Sequence, residues 1–361
     1  MMTKSAVLLL CLWLVGPVLG FAQPSQPDEW GRTVQAAREE GKVSLIGPPG
    51  AQRRDSLTIP FQRKYGIDVN YWADPAPGIP TRISAERRAG RYLWDLVIAG
   101  AMDRILLPLK VLAPLGPALL LPEVKDSQFW RGGAMEFLDA GRQILVMTPF
   151  QRGTLFVNRE LADPDAFRSY KDLLDPKWTG KIVIDDPRKP GPGQATFTFF
   201  YLHPELGEAF ILALVEQNPV ILKDYAQEID AVGRGKYPIA VGTSDSLAEE
   251  RIKQGIPIAI VDPRRLREGS DVNPASGMVG LLNRTPHPNA ARVYLNWLLS
   301  REGQTSFVRA AGYISSRMDV PTDHAAPWRV PQPGAIKTYS LGARAEMSAK
   351  VVPLLSKVFG R

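Results

Sequence analysis

Short apolar segments alternate with helix-like segments along most of this chain. KVSLIG (42–47), IDVNYW (67–72) and DLVIAG (95–100) are typical of strands, and RRDSLTIPFQRKYG (53–66) and IPTRISAERRAGR (79–91), which separate them, are typical of helices. Strands separated by helices can pair in parallel, with the helices packed on the faces of the sheet. The first part of the chain is therefore predicted to be an α/β unit.

A second series of the same kind follows. The strand-like segments are 142–150, 153–160, 181–187, 237–243, 256–263 and 277–283, and the helix-like segments are 195–217, 244–255, 288–312 and 340–358. A chain of 361 residues suits about two domains. The sequence therefore predicts two α/β units, with the proline-rich segment 319–334 as a surface excursion.

The N-terminus has the pattern of a secretory signal. Lys4 precedes the apolar run SAVLLLCLWLVGPVL (5–19), and Gly20 and Ala22 provide small residues before a cleavage point at Gln23. The run is short for a membrane anchor, which needs about 20 apolar residues. Residues 1–22 are therefore predicted to be a cleaved signal peptide, with the mature protein exported to the periplasm.

The residue composition excludes several kinds of function. Cys11 is the only cysteine and lies within the predicted signal, so the mature chain would have no disulfide, cysteine metal site or cysteine nucleophile. Removing residues 1–22 takes away Lys4 and no acid, so the net charge falls from +7 to +6. Cations occur singly or in pairs, which does not indicate nucleic-acid binding. The positive charge would favour anionic ligands or only make the surface soluble.

The segment DDPRKPGPGQATFTFF (185–200) joins a strand-like run to a helix-like one. Three prolines and two glycines stand in its middle. Gly191 and Gly193 would let the backbone approach a ligand closely, and the first amides of the following helix could bind an anion. A simple reversal of the chain explains the same residues, so the pattern leaves both interpretations open.

Several segments resemble the extracellular solute-binding proteins of ABC importers. YKDLLDPKWTGKIVIDDPRKPGPG (170–193) is similar to a family segment that reads roughly DLLDPKWKGKI…DP, and weaker similarities occur at FQRKYGIDV (61–69), WDLVIAG (94–100) and GQTSFVRAAGYISSR (303–317). The resemblance extends in the same order over nearly the whole mature chain. The most similar branch contains the binders of ferric ion, polyamines and phosphorylated solutes.

The resemblance implies a periplasmic binding protein fold of type II, with two α/β lobes joined by two hinge segments. Lobe 1 would comprise residues 23–145 plus 275–361 and lobe 2 residues 150–268, with hinges near 143–152 and 258–277. The solute would lie between the lobes, and an ABC permease in the inner membrane would receive it. The protein is expected to act as a monomer.

Ligands of open α/β sheets lie beyond the carboxyl ends of the strands, which selects the candidate binding residues. The loops there supply backbone donors and hydroxyl groups, and Arg152 could bind a carboxylate with two hydrogen bonds. For each residue, capping a helix or forming a turn is an equally good explanation. The candidates are Gly47, Pro48, Gly78, Thr81, Gly100, Ala101, Arg152, Gly193, Gln194, Thr196, Thr243, Ser244 and Asp245.

The sequence predicts no catalytic residue, cofactor or metal. The ferric binders of the family use an adjacent tyrosine pair, where this chain has TSD (243–245), and the three histidines form no spaced cluster. No nucleophile elbow or P-loop occurs. The preferred function is capture of a small polar organic solute, with an anionic solute favoured. A ferric-ion or ferric-complex binding protein, and an exported lyase or hydrolase on the same scaffold, stay as alternatives.

Overall fold

The structure is a computed structural model that describes residues 28–74 and 78–360. The predicted signal peptide lies outside the described residues. The strands are β1 (Lys42–Gly47), β2 (Asp68–Ala73), β3 (Leu96–Ala99), β4 (Leu112–Ala113), β5 (Leu145–Val146), β6 (Phe150–Gln151), β7 (Leu155–Asn158), β8 (Ile182–Asp185), β9 (Val220–Leu222), β10 (Ile239–Val241), β11 (Ile258–Ile260), β12 (Val272–Asn273) and β13 (Met278–Leu282).

The α-helices lie mainly between these strands, as the alternating sequence pattern predicts. They are α1 (Glu29–Glu40), α2 (Ala51–Tyr65), α3 (Ile79–Arg88), α4 (Met102–Ile105), α5 (Pro122–Lys125), α6 (Pro192–Leu202), α7 (Gly207–Glu216), α8 (Tyr225–Gly233), α9 (Asp245–Lys253), α10 (Pro288–Leu299), α11 (Arg301–Ala311), α12 (Leu341–Glu346) and α13 (Val352–Phe359).

Lobe 1 is built on a sheet with the strand order β2-β1-β3-β13-β4, in which β5 also pairs with β13. Strand β1 runs parallel to β2 and β3, and β13 runs antiparallel to β3, β4 and β5. Five of the six residues of β1 are buried because helices cover the sheet. Phe61 of α2 packs against Tyr294 and Trp297 of α10, with ring centroids 4.9 and 5.4 Å away.

Lobe 2 is built on a sheet with the strand order β11-β7-β10-β8-β9. Strand β8 runs parallel to β10 and β9, and β7 runs antiparallel to β10 and β11. Helix α6 is buried on most sides and packs Phe197, Phe199 and Phe200 into the core. The predicted single helix over 195–217 is wrong, since α6 ends at Leu202 and α7 begins at Gly207 after Pro204.

The two segments that connect the lobes pair with each other in a short β-ladder between the sheets. Strand β6 pairs antiparallel with β12, with Gln151 opposite Val272 and Phe150 opposite Asn273. This ladder lies within the predicted hinges near 143–152 and 258–277. Bending at these segments stays a prediction.

The C-terminal segment crosses both lobes. The sequence analysis assigns residues 275–361 to lobe 1, but Met347, Val351, Leu355 and Phe359 pack into the core of lobe 2. The segment 319–334, predicted to be a surface excursion, also contributes the buried residues Trp328 and Arg329. A composition rich in proline does not reveal either contact, since both depend on residues far away in the chain.

Candidate ligand-binding site

A cavity of about 540 Å³ lies between the two lobes. This volume is in the range of small-molecule sites. Its walls are the loops that follow β1 and β3 in lobe 1 and the loops that follow β8 and β10 in lobe 2. Those are the positions at which α/β sheets hold ligands.

Eight of the thirteen predicted binding residues line this cavity. They come from both lobes and from the crossing strand, so the fold brings together residues that are up to about 200 positions apart in the chain. The eight are Pro48, Gly100, Ala101, Arg152, Gln194, Thr243, Ser244 and Asp245. Their contact with a solute stays a prediction.

Three predicted residues of lobe 1 are placed elsewhere. Gly47 packs beneath the ring of Tyr71, whose hydroxyl group would lie 2.3 Å from a Cβ atom added at Gly47. Gly78 lies against the carboxylate of Asp74, and Thr81 is exposed on α3. These glycines provide close packing that supports the loops.

Two predicted residues of lobe 2 lie behind the cavity wall. The backbone N–H of Gly193 donates to Oδ2 of Asp185 at 2.7 Å, and a Cβ atom there would lie 2.6 Å from the Asp185 carbonyl oxygen. Thr196 is fully buried, and its hydroxyl oxygen accepts a long hydrogen bond of 3.4 Å from Arg152. Both residues therefore hold the wall in place without facing the cavity.

The lobe 1 wall carries two arginines that sequence analysis missed. Arg53 lies in the first turn of α2, and Arg104 lies in α4. Among residues 28–74 and 78–360, neither guanidinium group has an acidic partner or a hydrogen-bond acceptor. The guanidinium of Arg53 lies 5.7 Å from the ring centroid of Tyr313, which stacks on Phe150 at 5.0 Å. This wall therefore offers uncompensated positive charge beside an aromatic surface.

The start of α2 adds to that charge. Gly50 precedes the helix with a φ of 115°, which glycine adopts readily, and no side chain caps the helix. The first N–H bonded within this turn is that of Arg54, which donates to the Gly50 carbonyl at 3.0 Å. The preceding amides therefore retain the partial positive charge of a free helix start.

The start of α6 in lobe 2 is different, because other groups of the protein already use part of its hydrogen-bonding capacity. Asp185 accepts from the Gly193 amide, Pro192 has no N–H, and the Ala195 amide donates to the Gly191 carbonyl at 3.1 Å. Among the described residues, the amides of Gly191 and Gln194 have no hydrogen-bond acceptor in this turn. Pro192 and Asp185 therefore remove two of the main-chain donors that the sequence analysis expects at this helix start.

At the start of α9, the polar groups are also largely paired with each other or with Arg329. Ser244 accepts from the Leu247 amide at 3.3 Å, and Arg329 donates to Oδ2 of Asp245 at 3.2 Å. Thr243 is fully buried, and its hydroxyl group has no partner among the described residues. It lines the cavity, so it is the polar group of this loop with unused hydrogen-bonding capacity.

Arg152 lies at the crossing between the lobes, where the sequence analysis places it. Its guanidinium lies 3.4 Å from Oδ2 of Asp271 and donates to the Pro192 carbonyl at 3.2 Å. Thr338 donates to the same Asp271 oxygen at 3.0 Å. Burial raises the pKa of Asp271, and the positive charge of Arg152 opposes that rise. Arg152 therefore neutralises a buried acid and is only partly free for a solute.

A buried acid lies under the lobe 2 wall. Glu228 of α8 is fully buried, and neither carboxyl oxygen meets hydrogen-bond geometry with a described residue. Burial raises the pKa of Glu228 to about 7, the nearby Thr243 hydroxyl opposes the rise, and the charge of Asp185 adds to it. The carboxyl is therefore partly protonated near neutral pH.

Two further observations concern the described part of the chain as a whole. The described part of the chain contains no group of three or more histidine, cysteine, aspartate or glutamate side chains arranged to bind a metal ion. None of its helices combines the length and apolar character needed to cross a bilayer.

The two lobes, the crossing strands and the cavity between them define a two-lobed binding protein of the type II periplasmic class. Residues 57–332 match the family of bacterial extracellular solute-binding proteins. That match covers more than half of the chain. The chain therefore belongs to this family, whose members serve as the binding components of ABC importers.

Known proteins of similar sequence and structure support the fold. An uncharacterized protein from Haemophilus influenzae is 32% identical over 141 residues, which is 38% of this chain and 38% of that protein. The match thus spans well under half of the relative's length.

Solved structures cover much more of the chain at lower identity. Iron-bound HitA from Pseudomonas aeruginosa is 18% identical, with a TM-score of 0.63 over 88% of this chain and 99% of that one. Ferric iron-binding protein A from Mannheimia haemolytica in an open conformation is 15% identical, with a TM-score of 0.69 over 88% and 98%. AfuA from Actinobacillus pleuropneumoniae with fructose-6-phosphate is 17% identical, with a TM-score of 0.58 over 88% and 99%.

Proposed function

We propose that this protein captures a small, anionic organic solute in the cleft between its lobes and delivers it to an inner-membrane ABC permease. The observation that carries the proposal is the pair of uncompensated arginines, Arg53 and Arg104, on the wall of the cavity. A cation that faces a cavity without an acidic partner favours a ligand that supplies the missing negative charge.

The charge of the whole cavity wall has the same sign. Four arginines line it, against Asp74 and Asp245, so the balance is 4 − 2 = +2. Asp245 is already bonded to Arg329, which leaves Asp74 as the lining carboxylate without a cation partner among the described residues. An acceptor of this kind suits a hydroxyl group, so a solute with an acidic group and hydroxyl groups fits the wall best.

Capture of the solute would use movement of the lobes about the crossing strands. Strands β6 and β12, which lie at the crossing between the lobes, pair with each other at two positions, while each lobe has its own core. Domain closure about a few such residues is a common way to enclose a ligand. The protein would bind its solute as a monomer and leave it chemically unchanged.

A thermal-shift screen tests the proposal. The probes are inorganic phosphate, succinate, glucose 6-phosphate, glucose and spermidine, with mass spectrometry of each probe after incubation. At least one anionic probe is expected to raise Tm and to be recovered unchanged, since a ligand at 100 times its Kd stabilises a protein by about 2.7 kcal/mol. Stabilisation by glucose or spermidine alone would refute the anion preference, and conversion of a probe would favour the enzyme alternative.

A further inference from the structure

The C-terminal helical segment forms a wall of the cavity that sequence analysis missed. Arg344 of α12 and Met347 both line the cavity and lie three residues apart, on one side of the helix. Met347 begins a π-helical turn that extends to Val351 and leads into α13, and such turns often occur at functional positions. The match to the family ends at residue 332, so this wall lies beyond it.

Arg344 links this wall to lobe 1. Its Nε atom lies 3.7 Å from Oδ2 of Asp103 in α4, while Met347 and Val351 of the same segment pack in the core of lobe 2. At 3.7 Å the two groups form an ion pair but no hydrogen bond. The guanidinium is thus held between the lobes by charge alone.

Both members of this ion pair have unused hydrogen-bonding capacity. Nε of Arg344 and Oδ1 of Asp103 are buried and have no hydrogen-bond partner among the described residues. The terminal nitrogens of Arg344 also find no acceptor within residues 28–74 and 78–360. A buried donor without a partner costs free energy, which a ligand that accepts from it would recover.

A second arginine faces the same part of the cavity. Burial lowers the pKa of Arg344, the charge of Asp103 opposes this effect, and the charge of Arg104 adds to it. The two guanidinium groups therefore repel each other, and the charge of Asp103 offsets this repulsion in part. An anionic group placed between them would remove the repulsion and accept from both.

We propose that Arg344 is a specificity-determining residue, which together with Arg104 binds a carboxylate or phosphate group of the solute. The inference rests on the proposed function and identifies the chemical group that the cleft selects. The forked guanidinium of Arg344 would bind two oxygens of that group, and Asp103 would hold the fork in position. A solute without such a group would leave both arginines uncompensated.

Isothermal titration calorimetry of the full chain with succinate and glucose 6-phosphate tests this assignment. The variants are Arg344→Gln, Arg344→Lys and, as a matched control, Lys350→Gln, which removes an exposed cation from the same segment. Arg344→Gln is expected to weaken binding of the preferred probe by about 10- to 100-fold, because it removes a charge-assisted contact. Arg344→Lys should lose roughly fivefold, and Lys350→Gln less than about twofold.

The salt dependence of the affinity separates contact with the anion from a structural role. Wild-type affinity should fall with increasing salt more steeply than that of Arg344→Gln, because the variant lacks one of the charges that contact the anion. Equal affinity and equal salt dependence in wild type and Arg344→Gln would overturn the assignment of Arg344 but leave the anion-binding function intact. Absence of binding of either anion to wild type would overturn both.

Discussion

Both walls of the cleft are built from a strand, a loop and a helix, but they differ in the hydrogen-bond donors and charges that remain available to a ligand. In lobe 1, strand β1 leads through a proline- and glycine-rich loop into α2. Among the described residues, its first amides have no hydrogen-bond acceptor and its Arg53 has no acidic partner. In lobe 2, strand β8 leads through a similar loop into α6, but Asp185 already binds the Gly193 amide. Lobe 1 is therefore expected to supply the charge, and lobe 2 the hydroxyl groups and shape.

This difference shows that a helix start facing a cleft is not by itself an anion site. A free helix start has up to four amides without acceptors. At α6 a proline removes one of these donors and a carboxylate binds another. Which amides remain free depends on side chains outside the loop, so the loop sequence cannot reveal it.

The largest expected effect comes from removing the charge of lobe 1. The double variant Arg53→Gln/Arg104→Gln should weaken binding of the preferred anionic probe by more than 100-fold, or about 3 kcal/mol, because two charge-assisted contacts are lost. Calorimetry at about 0.15 M salt measures the loss.

The control for this variant removes the same total charge from lobe 2. Arg264 and Arg265 are both exposed and do not line the cavity. Arg264→Gln/Arg265→Gln should change affinity less than about threefold, since distant exposed charges are screened. If both double variants lose affinity equally, net charge and not the lobe 1 wall attracts the solute.

A smaller effect concerns the stability of lobe 2. The pKa of Glu228 is raised to about 7 in the folded protein, so the stability it contributes is present below its unfolded pKa and is lost as pH rises through 7. Glu228→Gln should therefore increase the free energy of unfolding at pH 8 by about 2 kcal/mol and change it little at pH 4.5. Urea unfolding at the two pH values measures this difference, and an equal change at both would contradict it.

The smallest effect concerns the hydroxyl group on the lobe 2 wall. Thr243→Val removes a hydroxyl that has no hydrogen-bond partner among the described residues and nearly keeps the volume, so affinity should fall by about fivefold, or 1 kcal/mol. Thr33→Val is the control, because this buried hydroxyl donates to the Glu29 carbonyl at 2.8 Å, far from the cavity. Thr33→Val should reduce stability and leave affinity unchanged. Reduced stability with unchanged affinity in Thr243→Val as well would show that Thr243 only supports the wall.

Much of the fold could be predicted from local sequence. The strand at 42–47 matches β1, because its apolar run is bounded by a charged residue and a glycine. The break between α6 and α7 also had a local signal, since Pro204 disfavours a helical conformation at His203. The rule that ligands lie at strand ends placed eight predicted residues on the cavity wall.

The rest depends on contacts between distant parts of the chain. Arg53 and Arg104 follow predicted loops by only one helical turn, so applying the rule one turn further would have included them. Arg344 gives no such signal, because it reaches the cavity only when the C-terminal segment packs against lobe 2. The pairing of Arg329 with Asp245, 84 positions away, is equally invisible in a local pattern.

Native mass spectrometry of protein purified without refolding tests the central claim most directly. The wild-type protein is expected to carry a small organic anion, and Arg53→Gln/Arg104→Gln is expected to be empty under the same conditions. A retained ferric ion, or a neutral or cationic molecule held equally by both proteins, would contradict the account.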